Sequence, residues 1–330
     1  MTLALLLLQF AVCAALIARA GFRLSRSADR LARHHGWGRG VAGLAMLATV
    51  TSLPELSSGI SAVAWVGSPD LAVGDVLGSC VFNLAFLGVV DAVWRQPPMY
   101  RHASGTHLLT AAFGVVTLGL VAMSLLLAGR APRLFHVGVY SPAMLALYVL
   151  ALTCVSRHER ALMAQAEPAT GTPVDVRTEW REFGLAAGVV ALAGAWLPQV
   201  ADRLAQALGL SPGFVGTLWL AFATSLPEIA VTLAAMRLGA LDLAIANLLG
   251  SNLFNLVVLA LDDAFYLRGP LLADAAPMHA LTAVAAIVMT GLVMIGLVMR
   301  PLGRVLRLWS WVSVGLLAAY VLNMTLVALA

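Results

Sequence analysis

Four stretches of this chain, Leu3–Ala18, Gly114–Ala128, Ala280–Met299 and Val312–Ala330, approach or reach the length of apolar helix that crosses a hydrocarbon core, which is roughly 20 residues. Such runs leave few options. Where the surroundings are lipid, each segment must satisfy its own backbone hydrogen bonds, so each span is a helix or a strand of a closed barrel. Runs of this length are helices. The composition agrees: 61% of residues are hydrophobic, 11% are charged and the mean hydropathy is +0.92. Soluble domains carry about a quarter charged residues, so this chain lacks the polar surface to fold in water. It is expected to be a multi-pass integral membrane protein, all-α, of the bacterial plasma (inner) membrane type, with lipid around it and no nucleic-acid partner.

The first segment lacks a basic stretch ahead of its apolar run, and its basic residues begin only at Arg19. It therefore reads as a retained span rather than a cleaved signal. Cys13, Cys80 and Cys154 have no metal spacing and are odd in number, which suits small buried residues rather than a disulfide framework.

Apolar stretches and polar breaks give ten spans, roughly 2–20, 41–66, 71–93, 106–128, 136–155, 183–200, 213–236, 241–266, 279–299 and 305–329. The basic residues test this map. All 20 are arginines, and 16 fall on the odd-to-even connections, with only Arg130, Arg133, Arg203 and Arg268 on the other side. The positive-inside rule makes the arginine-rich side cytoplasmic and both termini extracytoplasmic. The expected organisation is a five-helix half over residues 1–155, a cytoplasmic linker over 156–182 containing Pro168, Gly171 and Pro173, and a second five-helix half over 183–330. Gly184 and Gly188 form a small-residue step expected to serve packing within the second half.

The halves are copies. Thr51-Ser52-Leu53-Pro54-Glu55 recurs unchanged as Thr224-Ser225-Leu226-Pro227-Glu228, 173 positions on. Asp70 to Leu84 pairs with Asp242 to Leu256 at an offset of 172, sharing Gly-Ser-x-x-Phe-Asn. The repeat motifs lie at about 41–93 and 213–266. Five spans per half is an odd number, so the second copy enters the membrane from the opposite face. Inverted repeats of this kind place a substrate site near the midplane, where the copies meet.

The repeated residues carry the chemistry. Pro54 and Pro227 lie inside spans, where each removes a backbone donor and frees the carbonyl four residues earlier. Glu55 and Glu228 follow them directly. A carboxylate at the bilayer centre costs several kcal/mol unless it faces a partner, a cavity or an ion. No arginine falls at comparable depth, so bound cations are the natural partners. Thr51 lies one helical turn from Glu55 and Thr224 one turn from Glu228. Asp75, Ser79 and Asn83 are spaced i, i+4, i+8 and form one stripe, as do Asn247, Ser251 and Asn255. The donors are carboxylate, hydroxyl and amide oxygens, without imidazole or thiol, which suits hard cations and not softer metals.

Two Ser-Leu-Pro-Glu segments paired with two Gly-Ser-x-x-Phe-Asn segments resemble the alpha repeats of the calcium/cation antiporter superfamily, in particular the prokaryote-type sodium/calcium exchangers. The resemblance implies a secondary transporter, not an enzyme, with no cofactor beyond the transported Ca²⁺ and Na⁺ (or H⁺), for which a monomer suffices. Carried over by position, it implies cation ligands at Thr51, Ser52, Glu55, Ser79 and Asn83, and at Thr224, Ser225, Glu228, Ser251 and Asn255. The chain departs from that pattern in places. Some sodium/calcium exchangers have aspartate where Asn255 stands, members usually have asparagine in place of Asp75, and Cys80 replaces the asparagine matched by Asn252. Asp75 is thus a candidate third negative charge of the site or a proton-binding group, and a proton-coupled Ca²⁺/H⁺ exchanger is the alternative expectation. A channel suits duplicated broken helices less well, and an intramembrane hydrolase would lack a histidine base beside its serines.

Overall fold

The computed structural model describes residues 2–34, 48–94, 98–127, 130–163, 176–305 and 308–329. Among these, eight helices are long and apolar enough to cross a membrane, and a ninth span is a pair of helices bent by 44° at Ser225. We number them α1 (Leu3–His34), α2 (Leu53–Ser61), α3 (Pro69–Val93), α4 (Thr106–Leu126), α5 (Tyr140–Met163), α6 (Val176–Leu208), α7 (Pro212–Thr224), α8 (Leu226–Arg237), α9 (Leu241–Phe265), α10 (His279–Met299) and α11 (Trp311–Leu329). Residues 48–51 are helical ahead of the break at Ser52. The rest of the expected second span, 41–47, lies outside the described residues.

Several boundaries differ from the hydropathy reading, for one reason. α1 runs to His34 and α6 from Val176 to Leu208, well past the expected 2–20 and 183–200. Both continue as amphipathic helices beyond the apolar stretch. In α1, Leu24, Ala28 and Leu31 recur at helical spacing and are buried, the first two against Ala186 and Val190 of α6. Arginines on the opposite face read as loop by hydropathy. Arg30 ties the end of α1 to Glu179 at the start of α6 (3.1 Å), so the two helices run antiparallel. The expected linker 156–182 is likewise helical at both ends, to Met163 and from Val176. Residues 164–175 lie outside the described residues. A two-residue hairpin, Arg133–Leu134 with Val137–Gly138, interrupts the all-α pattern, and the last helix begins at Trp311 rather than 305. Gly184 and Gly188 meet nothing within 4 Å, so the expected packing step is not used among the described residues.

α3 and α9 form the centre. Their best membrane windows are 72% and 83% buried, against 22% for α1. They run antiparallel: Cys80 meets Asn252 near the middle, and Asp75 near the start of α3 faces Asp262 near the end of α9.

The ends of this pair are fixed by two sets of contacts that repeat at the 172-residue offset. Asp70 accepts hydrogen bonds from the Ala276 amide (2.7 Å) and His279 Nε2 (3.1 Å). Asp242 accepts from the Ser104 amide (2.7 Å) and His107 Nε2 (2.9 Å). Each aspartate therefore binds the other half rather than capping its own helix, and Ser68 caps α3 instead. At the opposite ends, Asp91 accepts from the Met99 amide, the Ser310 amide and Ser313 Oγ. Asp263 accepts from the Leu271 amide, the Gly138 amide, Ser141 Oγ and Tyr140 Oη. A buried carboxylate is tolerable when donors surround it, and leaving those donors unpaired costs about 1–3 kcal/mol each. We therefore expect Asp263→Ala to lower the stability of the detergent-purified protein by at least about 3 kcal/mol, read as the midpoint of thermal or denaturant unfolding. Asp202→Ala, at an exposed bond to Gln206, should change it by no more than about 0.5 kcal/mol.

Candidate functional site: an oxygen cluster between two broken helices

Each repeat breaks its helix at the serine of the Thr-Ser-Leu-Pro-Glu motif. Ser52 has φ −86°, ψ 14° and Ser225 has φ −79°, ψ 4°. Proline then occupies the first turn of α2 and α8, where its missing amide costs nothing and its fixed φ suits a helix start. The break thus follows from proline chemistry. It places Glu55 and Glu228 one turn into the new helices, with Thr51 and Thr224 at the ends of the preceding ones.

Thr51, Ser52, Glu55, Asp75, Ser79, Asn83, Thr224, Ser225, Glu228, Ser251 and Asn255 are all 0% exposed. The contacts join the two repeats. Ser52 Oγ donates to Glu228 Oε1 and Ser225 Oγ donates to Glu55 Oε1, both at 3.3 Å. Thr51 Oγ1 and Ser251 Oγ lie 3.2 Å apart. Asn83 Nδ2 donates to Asn252 Oδ1 at 3.0 Å, and Asn252 Nδ2 donates to the Cys80 carbonyl at 3.0 Å. Asn252 was outside the set picked from sequence, yet it turns Asn83 so that the Asn83 Oδ1 remains free. Its position opposite Cys80 at the repeat offset was the available signal.

The symmetry fails where Cys80 stands opposite Asn252, and again at Asp75. Thr224 Oγ1 donates to Asp75 Oδ1 at 2.9 Å, where the first repeat pairs Thr51 with Ser251. Ser79 Oγ, the counterpart of Ser251 Oγ, has no hydrogen-bond partner among the described residues. Asn247, the counterpart of Asp75, donates instead to the Glu228 carbonyl and to Thr232 Oγ1, each at 3.2 Å. Asp75 is fully enclosed in this conformation and is not a water-facing carboxylate at a cavity mouth.

One oxygen in each of Glu55, Glu228, Asp75, Ser79, Asn83 and Asn255 is buried without a hydrogen-bond partner among the described residues. Uncompensated buried oxygens are costly, and carboxylate, hydroxyl and amide oxygens are the donor types that a hard cation takes. Among the described residues no three His, Cys, Asp or Glu side chains converge as a metal cage. A cation here would therefore be held by no more than two carboxylates, supplemented by hydroxyl and amide oxygens.

Comparison with known proteins agrees. The family model described as "Sodium/calcium exchanger protein" matches residues 5–156 and 182–327. The putative antiporter CaxA of Alkalimonas amylolytica is 29% identical over 240 residues, covering 71% of this chain and 72% of that protein. The inner membrane protein YrbG of Escherichia coli is 29% identical over 245 residues, covering 72% of each. The sodium/calcium exchanger MaX1 of Methanosarcina acetivorans is 41% identical over 63 residues, which is 19% of this chain and 18% of that one. A solved structure of the sodium-calcium exchanger NCX_Mj, soaked with Na⁺ and Sr²⁺, shares the fold with a TM-score of 0.63 at 21% identity, covering 98% of this chain and 99% of that chain. The motifs, the bundle and the match over both halves make this chain a multi-pass membrane protein of the sodium/calcium exchanger family of antiporters.

Proposed function

We propose that the protein exchanges Ca²⁺ for Na⁺ by alternating access at the cluster between α2, α3, α8 and α9. The supporting observation is the set of fully buried, partly unpartnered oxygens donated by both repeats. Glu55 and Glu228 neutralise one divalent cation, and the same oxygens, with the hydroxyls of Thr51, Ser52, Thr224, Ser225, Ser79 and Ser251, hold Na⁺ in its place. Emptied, the two carboxylates repel each other. Loaded, they are neutralised, and the helices that carry them can shift past α3 and α9. The relatives named as antiporters and as a sodium/calcium exchanger support the ion pair. The proposed frame is ten spans in two inverted halves, 1–155 and 183–330, with both termini outside the inner membrane and a monomer as the working unit.

A proton-coupled Ca²⁺/H⁺ exchanger is the second reading. It is favoured by Asp75, an acid bonded to Thr224 within the cluster, combined with the amide at Asn255. Proteoliposomes separate the two. Radioactive Ca²⁺ uptake is expected under an outward Na⁺ gradient and is expected to vanish when that gradient is collapsed. Uptake driven only by an outward H⁺ gradient would replace the first reading with the second, and a folded protein silent under both would remove Ca²⁺ as the substrate.

A further inference from the structure

Asp262 lies near the end of α9, seven residues beyond Asn255 and therefore on the same helical face. It is 0% exposed, and neither carboxylate oxygen has a hydrogen-bond partner among the described residues. Its neighbour in sequence, Asp263, is also 0% exposed but accepts four hydrogen bonds. The fold thus supplies donors where a carboxylate is structural and supplies none to Asp262. The Asp262 carboxylate rests on Gly59 of α2, where an added Cβ would lie 2.2 Å from Oδ2 and 2.5 Å from Oδ1. From α3, Asp75 lies near enough for the two carboxylates to repel each other, and its Oδ2 is buried. Ser58 is a hydrogen-bonding neighbour of Asp75 in turn, and its Oγ is buried.

The other half of the molecule provides a control. At the repeat offsets, Asp262, Asp75 and Gly59 correspond to Val90, Asn247 and Thr232. There Asn247 donates to Thr232, and none of the three residues carries a charge. Two acids and a glycine therefore replace a valine, an asparagine and a threonine on one side of the central cluster only. Packing demands shared by the two repeats do not account for that difference, whereas a bound cation does.

We propose that Asp262, with Asp75 Oδ2 and Ser58 Oγ, forms a second hard-cation site beside the central cluster, on the side where α3 begins and α9 ends. Asp75 links the two sites, because its Oδ1 bonds Thr224 of the central cluster while its Oδ2 makes no hydrogen bond to that cluster among the described residues. The inference rests on the cation-exchange reading above and deepens it: ions moving to or from the cluster on this side pass a carboxylate that the other side lacks. Carboxylate and hydroxyl donors fit Na⁺ and Ca²⁺ alike, so the test measures each.

The experiment is equilibrium binding of radioactive Ca²⁺ and, separately, radioactive Na⁺ to the purified full chain, comparing wild type with Asp262→Asn, Asp262→Val and Glu228→Gln. Asp262→Val installs the residue that Val90 already provides at the matching position, so folding is expected to survive, and size-exclusion profiles check it. Two classes of bound ion are expected in the wild type for Ca²⁺, Na⁺ or both. Both Asp262 variants should weaken one class by at least about tenfold and leave the class removed by Glu228→Gln. A single class, abolished by Glu228→Gln and unmoved by either Asp262 variant, would overturn the second site and leave the exchange reading intact. A change confined to the pH dependence of binding, at unchanged stoichiometry, would also overturn it by assigning Asp262 a proton instead. Binding unaffected by Glu228→Gln would remove the central site and this inference with it.

Discussion

Replacing Glu228 with glutamine is expected to weaken Ca²⁺ binding by about a thousandfold, and Glu55→Gln by a similar factor. The side chain keeps its shape and one oxygen acceptor but loses its charge. At about 4 Å, in the effective dielectric of a partly enclosed site, one unit charge interacts with another by about 4 kcal/mol, and each 1.4 kcal/mol is tenfold in affinity. Both carboxylates are 0% exposed, so water cannot replace the lost charge. The serines provide the internal comparison. Ser52 and Ser225 each donate across the repeats to one of these glutamates at 3.3 Å. Their alanine variants lose one oxygen and one bond to a charged group, worth about 1.5–3 kcal/mol, and so should fall between wild type and the glutamine variants. Gradient-driven Ca²⁺ uptake and equilibrium binding on the same preparations check the ranking. Near-normal uptake by a folded Glu228→Gln protein would mean that this carboxylate does not hold the ion.

Much of this was open to reading in the sequence, and the failures have physical causes. The span His279–Met299 coincides with its apolar run at both ends, because polar or turn-forming residues flank it. α1 does not, because hydropathy marks where the lipid ends and not where the helix ends. The repeated motifs were readable because proline, glutamate and the Gly-Ser-x-x-Phe-Asn stripe recur in the same order. All eleven candidate residues are buried, and eight of them, Thr51, Ser52, Glu55, Asp75, Thr224, Ser225, Glu228 and Ser251, pair through hydrogen bonds between the repeats. A carboxylate at a helix start ordinarily caps its own helix, yet the partners of Asp70 and Asp242 are His279 and His107. That exchange was encoded, since His107 and His279 also differ by 172 positions, but only a folded chain shows that a residue from one half meets the partner of its twin. Asp262 could not be told apart from Asp263 for a related reason. Side by side, Asp262 and Asp263 look interchangeable, and only the distribution of donors around them separates a structural carboxylate from an unpartnered one.

Gly78→Val is expected to abolish transport and to lower stability by about 3 kcal/mol or more. α3 and α7 cross with their backbones in contact. A Cβ on Gly78 would lie 2.3 Å from the Thr217 carbonyl oxygen and 2.7 Å from its Cα. Four residues earlier, a Cβ on Gly74 would lie 3.0 Å from the Gly213 carbonyl, and from the other side one on Gly216 would lie 2.9 Å from the Leu71 carbonyl. The atoms met are backbone, which cannot swing aside as a side-chain tip can, so the helices themselves must separate. Small residues at such crossings let membrane helices approach closely. The consequence reaches the site because α7 ends at Thr224, whose hydroxyl bonds Asp75 on α3 at 2.9 Å. Moving α7 outward by about 1 Å breaks that bond and displaces Ser225 from Glu55, and misplacements of that size cost about a hundredfold in rate in preorganised sites. Gly78→Ala should give the same defect in milder form. Gly250 is the counterpart in the second repeat, and among the described residues its added Cβ meets only the Ala48 methyl at 3.5 Å, an ordinary contact. Gly250→Ala should therefore stay within about 0.5 kcal/mol of wild type. Unfolding midpoints and Na⁺-driven Ca²⁺ uptake, measured on all three variants, test both halves of the expectation. Equal tolerance at Gly78 and Gly250 would show that the α3–α7 crossing does not set the geometry of the cluster.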